Sequence, residues 1–308
     1  MQKFLAVITG RADRTPLKPV IAALRLRGAS VHECNVEGLS IADAASEADR
    51  VMCSNPVPVI ILGDRYEALT CATVATYHRL PILHIHGGEK TDGSFDDRIR
   101  NAITKLASVH FVAHEHAAQR LRDMGEIKNI HITGAPGLDN LTNLCAREVR
   151  RHFVVTYHPE TAGVTDVQPL IGALNEWQGR PVFVTEPGND PGRHAILLRL
   201  RRAGTRVSEL TPDAYIGLCR TAAAVIGNSS SGIIEAPTLE VPTVNIGTRQ
   251  KGRLCGPSVR TCGNTVEEIT ASIKWALAYE GPFDNPYGGP GASARIADIL
   301  TRGEVWYS

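Results

Sequence analysis

The chain has 308 residues, of which 43% are hydrophobic and 21% are charged, and its net charge at pH 7 is +1. This length suits two domains of ordinary size. The balanced charge and the 5% of aromatic residues exclude a bulk attraction to nucleic acid or to a membrane surface. The seven scattered cysteines, none of them in a CxxC pair, indicate a reducing compartment and no zinc knuckle.

The first half of the chain alternates short apolar strands with helices. Its first residues predict a strand rather than a signal peptide, because no cleavage site follows and charged residues come at once. No apolar run approaches about 18 residues, so we expect no membrane span. The cysteine usage leads us to expect a cytoplasmic protein. The predicted strands cover 4–9, 31–36, 59–62, 82–86, 110–112 and 130–133, and helices begin at about 17, 41 and 68.

The alternation restarts after a polar, arginine-containing stretch. Strands are predicted over 153–156, 181–185, 206–210, 223–226 and 242–246, and helices over 266–279 and 292–300. Short apolar strands separated by helices are typical of parallel sheets covered on both faces. We therefore predict an α/β fold with two Rossmann-like domains, residues 1–147 and 148–308, in which the last helix could pack back on the first domain. Ligands of such sheets bind beyond the carboxyl ends of the strands, so we expect the active site in the cleft between the domains.

A serine-rich turn after the predicted strand 223–226 is typical of an anion-binding site. Residues 228–232, Asn-Ser-Ser-Ser-Gly, supply hydroxyls, and the backbone amides of 230–232 would point outward at the start of a helix near Ile233. Glu235 is placed one turn later to accept hydrogen bonds from a sugar hydroxyl. The alternative is an ordinary serine N-cap on a surface helix. Basic residues of the next loop could close over a nucleotide or be solvated charges: Arg249, Lys251 and Arg253.

Polar residues also follow two strands of the first half. Arg11 could bind a phosphate through two parallel hydrogen bonds, or it could be a surface arginine beside a helix-capping Asp13. Asp64 could be a catalytic carboxylate or the N-cap of the next helix. Each residue therefore keeps a functional and a structural interpretation.

The densest polar cluster is HIHGGE, residues 84–89, with the carboxylates that follow it. Glycines beside Glu89 would let a ligand approach the backbone, and neighbouring carboxylates can hold the different pKa values that acid and base catalysis needs. His84 and His86 could bind a metal together with the carboxylates, or the groups could act without a metal. Alternatively, His84 packs inward and the aspartates cap a helix. The carboxylates are Asp92, Asp96 and Asp97.

Histidines occur at two further places. His158 follows the first strand of the second half, where a lone histidine is more often structural, but it could contact a phosphate or the reacting sugar. His110, His114 and His116 have a spacing that resembles a metal site. Because they fall on a strand and a helix start, we expect no metal there.

Eight motifs along the chain resemble, in the same order, those of the hydrolysing branch of the UDP-N-acetylglucosamine 2-epimerase family. They are GRADRTPLKP, GDRYEAL, HIHGGEKTDGSFDDRIRNAITKLASVHFVAHE, TGAPGLDN, TYHPET, IGNSSSGIIEAP, NIGTRQKGR and NPYGGPGASARI. The resemblance covers nearly the whole chain. It implies the GT-B-like fold of nucleotide-sugar glycosyltransferases, a UDP-sugar substrate, no metal or other cofactor, and a homodimer.

The resemblance also implies a reaction and a set of site residues. The proton on carbon 2 of the sugar is removed and UDP is expelled to leave a glycal, and water then adds to give N-acetylmannosamine or a related sugar for sialic-acid or capsule synthesis. The implied catalytic residues are Asp64, Glu89, Asp96 or its rival Asp97, and His158. The implied nucleotide-binding residues are Arg11, Lys18, Ser229, Ser230, Ser231, Gly232, Glu235, Arg249 and Lys251.

Two departures from the family pattern leave alternatives open. The chain is shorter than the family between Arg11 and Asp64, and Arg14 stands where an aromatic residue is usual, so the sugar pocket could differ. A glycosyltransferase on the same scaffold would release UDP only with an acceptor. A sugar-nucleotide-binding protein without catalysis would bind tightly and not turn over.

Overall fold

The computed structural model describes residues 1–91, 96–141, 151–160, 166–187 and 192–302, without the side chains of residues 11 and 12. These residues form two compact units: the first contains 1–90, 96–141 and 287–302, and the second contains 91, 151–160, 166–187 and 192–286. The predicted domain boundary after residue 147 lies outside the described residues and stays a prediction.

The first unit is built on a parallel sheet of six strands, as the sequence predicts. The strand order is β2-β1-β3-β4-β5-β6, and the three strands β3, β4 and β5 are buried along their whole length. The strands are β1 (Lys3–Ile8), β2 (Ser30–Asn35), β3 (Val59–Leu62), β4 (Ile82–Ile85), β5 (Val109–Val112) and β6 (Ile130–Ile132). The helices are α1 (Arg11–Leu26), α2 (Ile41–Ser54), α3 (Tyr66–Tyr77), α4 (Asp96–Leu106) and α5 (Glu115–Asp123), and a 3-10 helix covers Pro136–Leu141.

Helix α1 begins at Arg11, so the prediction of a start near residue 17 was wrong. Pro16 and Pro19 lie inside the helix, whereas the sequence analysis placed the start beyond the first of them. Proline has a φ angle that suits a helix but removes one backbone hydrogen bond. Burial of the apolar face, which includes Leu17 and Leu24 at 0% exposure, offsets that loss.

The second unit contains another parallel six-stranded sheet, in the order β12-β11-β10-β7-β8-β9. The edge strand Val259–Cys262 escaped prediction because its side chains are partly exposed and form no apolar run. The strands are β7 (His152–Thr156), β8 (Val182–Thr185), β9 (Val207–Ser208), β10 (Ala222–Gly227), β11 (Thr243–Ile246) and β12 (Val259–Cys262). The helices are α6 (Gln168–Asn175), α7 (Arg193–Arg202), α8 (Pro212–Arg220), α9 (Ser231–Ile234) and α10 (Val266–Leu277).

The last helix, α11 (Ala292–Thr301), packs on the first unit. Its residues Ile296, Ala297 and Leu300 share a core with Leu17 of α1 and with the strands β1, β3, β4 and β5. Within the described ranges, the helices are all too short or too polar to cross a bilayer.

Candidate active site

Arg100 binds three polar groups that follow β3 and β4 in the chain. Its guanidinium is almost fully buried, with 1% of the side chain exposed. It donates hydrogen bonds to the carboxylate of Asp64, to Asp97 Oδ1 at 2.5 Å and to the main-chain oxygen of Glu89 at 2.7 Å. The structure therefore brings Asp64, Asp97 and the Glu89 backbone to one cation, which the sequence analysis did not single out.

The position of Arg100 on α4 explains its burial. It lies on the same helix face as Ile99 and Ile103, which are also buried. Burial disfavours the charged guanidinium, but Asp64 and Asp97 outweigh this effect and raise the pKa of Arg100 above its ordinary value. An arginine on the apolar face of a predicted helix is the sequence signal that would have found it, because a buried cation needs acidic partners.

Glu89 follows β4 and lies beside two histidines. Its side chain is 3% exposed, and Oε1 lies 3.2 Å from Nε2 of His114 and 4.0 Å from Nδ1 of His86. The His114 Nδ1 atom accepts a hydrogen bond from the amide of Ala117 at 3.1 Å, so in the neutral ring the proton resides on Nε2, the atom nearer to Glu89. Gly88 has a φ of 74° and packs against the start of α5, where a Cβ atom would lie 2.3 Å from the Ala117 oxygen. The HGGE turn therefore places a buried carboxylate against His114.

His84 is a core residue in this structure, and it does not support the metal interpretation. Its Nε2 atom lies 2.9 Å from the Gly63 oxygen and its Nδ1 atom lies 3.2 Å from the Thr104 hydroxyl, so both ring nitrogens are engaged. Burial lowers the pKa of His84 to about 3. His110 contacts Glu126, not the carboxylates near His114. Across the described ranges, no three His, Cys, Asp or Glu residues come together as a metal site would require.

Asp13, for which the sequence indicates only a helix cap, is a buried carboxyl group. It is 7% exposed and accepts a hydrogen bond from the Thr9 hydroxyl. Burial raises its pKa to about 6, although the Thr9 bond and Arg65 oppose the shift, and Asp64 adds to it. Asp13 therefore belongs to the same charged environment as Asp64.

The remaining predicted residues of the first unit have different positions. Asp96 begins α4 next to Asp97, and Lys18 is exposed on α1. The Arg11 side chain and the whole of Asp92 lie outside the described residues, so their predicted roles stay predictions.

In the second unit, Asn228 holds the backbone of His158. Its side chain is 0% exposed, its Oδ1 atom accepts from the His158 amide at 2.6 Å, and its Nδ2 atom donates to the His158 carbonyl at 2.9 Å. The preceding Gly227 has a φ of 139°, and a Cβ atom there would lie 1.9 Å from the Thr156 oxygen, so only glycine lets β10 approach β7. Burial lowers the pKa of His158 to about 3 with a contribution from Arg249, so the ring is neutral at pH 7.

Two backbone amides of the serine turn are hydrogen-bonded within the turn itself. Helix α9 has only four residues, and the Gly232 amide bonds to the Ser229 carbonyl at 3.2 Å. The Ser231 amide bonds to the Ser229 hydroxyl at 3.4 Å. The prediction that the amides of 230–232 point outward was therefore wrong for Ser231 and Gly232. The two residues satisfy their amides inside the turn, as short turns commonly do.

The basic loop after β11 is attached to the same asparagine. Gln250, 4% exposed, donates from Nε2 to the Asn228 carbonyl at 2.9 Å, and Arg249 donates from Nη1 to the same oxygen at 3.3 Å. Lys251 is exposed, and Glu235 is partly buried directly after α9. The structure thus places His158, the serine turn and Arg249 around Asn228, which the sequence analysis mentioned only as part of the turn.

Residues 32–301 match the family model described as UDP-N-acetylglucosamine 2-epimerase. One relative, the polysialic acid biosynthesis protein P7 of Escherichia coli, is 34% identical over 65% of this chain and 57% of its own length. Another, the GDP/UDP-N,N'-diacetylbacillosamine 2-epimerase (hydrolyzing) of Campylobacter jejuni, is 34% identical over 65% of this chain and 58% of its own length. The chain therefore spans less than two thirds of the length of both relatives.

The fold is also similar to a solved structure. This structure is the UDP-GlcNAc 2-epimerase from Neisseria meningitidis bound to UDP-GlcNAc, and its TM-score against this chain is 0.82. The match covers 98% of this chain and 100% of the solved chain. The sequence identity is 15%, so this likeness concerns the fold. It agrees with the predicted two-domain, GT-B-like α/β class.

Proposed function

This chain belongs to the UDP-N-acetylglucosamine 2-epimerase family, and we propose that it hydrolyses a UDP-amino sugar with inversion at carbon 2. The substrate is UDP-N-acetylglucosamine or a related UDP-sugar. Removal of the proton on carbon 2 and loss of UDP from carbon 1 give a glycal, and water then adds its hydroxyl to carbon 1 while carbon 2 regains a proton on the other face. The products are UDP and free N-acetylmannosamine or its relative.

The observation that carries this proposal is the buried carboxylate of Glu89 beside the His114 imidazole. Arg100 donates hydrogen bonds to the Asp64 and Asp97 carboxylates, whereas the Glu89 carboxylate, which also feels the Arg100 charge, lies 3.2 Å from Nε2 of His114. We therefore assign the proton transfer at carbon 2 to Glu89. The Asp64 and Asp97 carboxylates, with Asp96 beside them, would orient the sugar by accepting hydrogen bonds from its hydroxyls.

The second unit would bind the nucleotide. Because the His158 ring is neutral at pH 7, it can donate one hydrogen bond and accept another without adding charge beside a phosphate. Arg249 supplies a cation near that ring, and Glu235 can accept from a ribose hydroxyl. Further proposed nucleotide contacts are Arg11, Lys18, Lys251 and the hydroxyls of Ser229, Ser230 and Ser231. Gly232 is not proposed as a contact, because its amide is hydrogen-bonded inside the turn. That both units contact one substrate molecule stays a prediction.

The names of two relatives suggest the class of sugar that this chain hydrolyses from its nucleotide. The protein from Campylobacter jejuni is named for the hydrolysis of a diacetylated amino sugar attached to GDP or UDP, and the protein from Escherichia coli is named for polysialic acid biosynthesis. The first name supports an acetylated amino sugar as the substrate, and the second supports a role in the synthesis of a polysaccharide. We accordingly propose a place for this chain in the supply of sugars for surface polysaccharides.

Incubation with UDP-N-acetylglucosamine in deuterated water, followed by proton NMR, tests the reaction. We expect UDP and free N-acetylmannosamine that carries deuterium at carbon 2, because the added proton comes from solvent. Glu89→Gln should lower this rate by about a hundred- to ten-thousand-fold, the usual contribution of a proton-transfer group. The matched control is Glu126→Gln, since Glu126 pairs with Lys105 away from Glu89.

Three results would contradict the proposal in different ways. Release of UDP only after an acceptor is added would indicate a glycosyltransferase. Unchanged UDP-N-acetylglucosamine, with turnover of a diacetylated UDP-sugar, would correct the substrate. Binding of UDP-sugars without any turnover would indicate a binding protein.

A further inference from the structure

We propose that Asn228 is a positioning residue that sets both the His158 ring and the basic loop of residues 248–253. The inference rests on the proposed function, because it gives His158 a role beside the substrate. The structure places one residue between the two groups: the Asn228 side chain binds His158, and the Asn228 carbonyl binds the loop.

The side chain of Asn228 engages both hydrogen-bonding groups of the His158 backbone. The amide oxygen accepts at 2.6 Å and the amide nitrogen donates at 2.9 Å. Such a two-sided pairing restricts the φ and ψ angles of His158, which in turn set the direction of its Cα–Cβ bond. Among side chains of this length only asparagine has an acceptor and a donor on one planar group, since aspartate lacks the donor and serine has a single oxygen.

Asn228 is itself fixed from three directions. Its amide donates to the Thr156 carbonyl at 3.1 Å, which attaches it to the end of β7, and its side chain is 0% exposed. Its carbonyl accepts from Gln250 at 2.9 Å and from Arg249 at 3.3 Å. A shift of residue 228 would therefore move His158 and the start of the basic loop together.

Geometry matters more here than charge, because a neutral His158 ring would act on the substrate only through directed hydrogen bonds. A misplacement of a reacting group by about 1 Å can cost about a hundredfold in rate. If Asn228 only stabilised the fold, its replacement would lower the melting temperature and leave kcat unchanged in the folded fraction. A positioning role predicts a loss of kcat that does not follow from stability.

The test compares Asn228→Ser with Asn245→Ser. Asn245 is a matched control because it is also buried, at 3% exposure, and donates to the Thr261 hydroxyl on β12. We expect Asn228→Ser to lower kcat for UDP-N-acetylglucosamine by about 10- to 100-fold. Asn245→Ser should lower the melting temperature to a similar extent and keep kcat. Equal kcat in the two variants, measured below both melting temperatures, would overturn the proposal.

A second variant tests the attachment of the loop separately. Gln250→Ala removes the 2.9 Å bond to the Asn228 carbonyl but leaves the Asn228 side chain on His158. We expect it to raise the Kd for UDP by about five- to tenfold and to change kcat less than Asn228→Ser does. A Kd for UDP equal to that of the unchanged protein would contradict the part of the proposal that concerns the loop, and so would a loss of kcat as large as that of Asn228→Ser.

An NMR measurement separates failure of this inference from failure of the proposed function. If the unchanged protein turns over no UDP-sugar, the proposed function fails, but hydrogen exchange of the His158 amide can still be followed with ¹⁵N-labelled protein. Asn228→Ser should speed this exchange at least tenfold and Asn245→Ser should not. Equal exchange in both variants would show that Asn228 does not hold His158.

Discussion

Two candidate site residues of this chain, Asp64 in the first unit and His158 in the second, are held by opposite means. In the first unit, the buried Arg100 cation binds the side chains of Asp64 and Asp97. In the second unit, the neutral amide of Asn228 binds the backbone of His158, whose ring is itself neutral at pH 7. One arrangement depends on compensating charge, and the other depends on hydrogen-bond geometry.

This difference predicts which substitutions mainly lower the free energy of unfolding and which mainly lower kcat. A buried charge that loses its partner keeps its desolvation penalty, so the ion-paired groups of the first unit depend strongly on one another. A neutral hydrogen-bonding group that loses its partner costs about 1–3 kcal/mol, and water can replace part of the interaction. We therefore expect the largest losses of stability around Arg100 and the clearest changes in rate around Asn228.

Arg100→Leu should have the largest effect on stability. The substitution leaves two carboxylates without their buried cation, and we expect the free energy of unfolding to fall by about 3–5 kcal/mol. Urea denaturation followed by circular dichroism measures the change. Arg100→Lys should lower the free energy of unfolding by less, because lysine keeps the positive charge although it lacks the planar fork of donors.

The control for this prediction lies on the same helix. Arg98 is exposed on α4, so Arg98→Leu should change the free energy of unfolding by less than about 0.5 kcal/mol. If Arg100→Leu cost no more than Arg98→Leu, the carboxylates would be stable without their cation, and the contrast between the units would not hold.

Much of the fold could be predicted because its signals are local. The buried strands β3 and β7 are apolar runs, so their positions were predicted to within a residue. The strand β12 was not predicted, because an edge strand can form without an apolar run. Its pairing with β11 is a long-range contact that local patterns do not show. The start of α1 was misplaced because burial of its apolar face outweighs the unfavourable prolines.

The candidate site was less predictable, because its partners come from distant parts of the chain. The sequence singled out Asp64, Glu89 and His158, but not the groups that hold them. Arg100 is 36 residues from Asp64 and Asn228 is 70 residues from His158. His114 was considered only for a metal, since its approach to Glu89 depends on how the HGGE turn packs on α5. Local patterns indicate reactive side chains, and only tertiary structure shows what orients them.

The stability of the two units should depend on pH in opposite ways, because the pKa of a buried carboxyl group is raised in the first unit and the pKa of a buried histidine is lowered in the second. The pKa of Asp13 is raised from 3.8 to about 6, so the folded state binds the proton more tightly and stability falls as the pH rises from about 4 to 6. The pKa of His158 is lowered from 6.5 to about 3, so the unfolded state takes up the proton first and stability falls as the pH drops from about 6.5 to 3.

Asp13→Asn and His158→Gln should therefore change the pH profile of unfolding in opposite directions. At pH 7, Asp13→Asn removes the cost of a buried ionised carboxyl and should raise the free energy of unfolding by up to about 3 kcal/mol, since each pKa unit corresponds to about 1.4 kcal/mol. His158→Gln should remove the loss of stability below pH 6. The control is Asp123→Asn on the exposed face of α5, which should leave the profile unchanged. Parallel profiles for Asp13→Asn and the unchanged protein would contradict the raised pKa.

The smallest expected effect concerns one helix cap in each unit. In the first unit, the Asp139 carboxylate accepts from the amides of Gly291, Ala292 and Ser293 at the start of α11. In the second, the Thr265 hydroxyl accepts from the Glu268 amide at 3.2 Å at the start of α10.

Because Asp139 is charged and binds three amides, Asp139→Ala should lower the free energy of unfolding by about 2 kcal/mol, against about 1 kcal/mol for Thr265→Ala. Hydrogen exchange should rise mainly in α11 for the first variant and in α10 for the second. Asp139→Asn separates charge from geometry, since it keeps one acceptor and removes the interaction of a negative charge with the helix N-terminus. If Asp139→Asn matched the unchanged protein while Asp139→Ala did not, the cap would act through hydrogen bonds alone. The reliance of the first unit on charge would then be confined to Arg100 and its carboxylates.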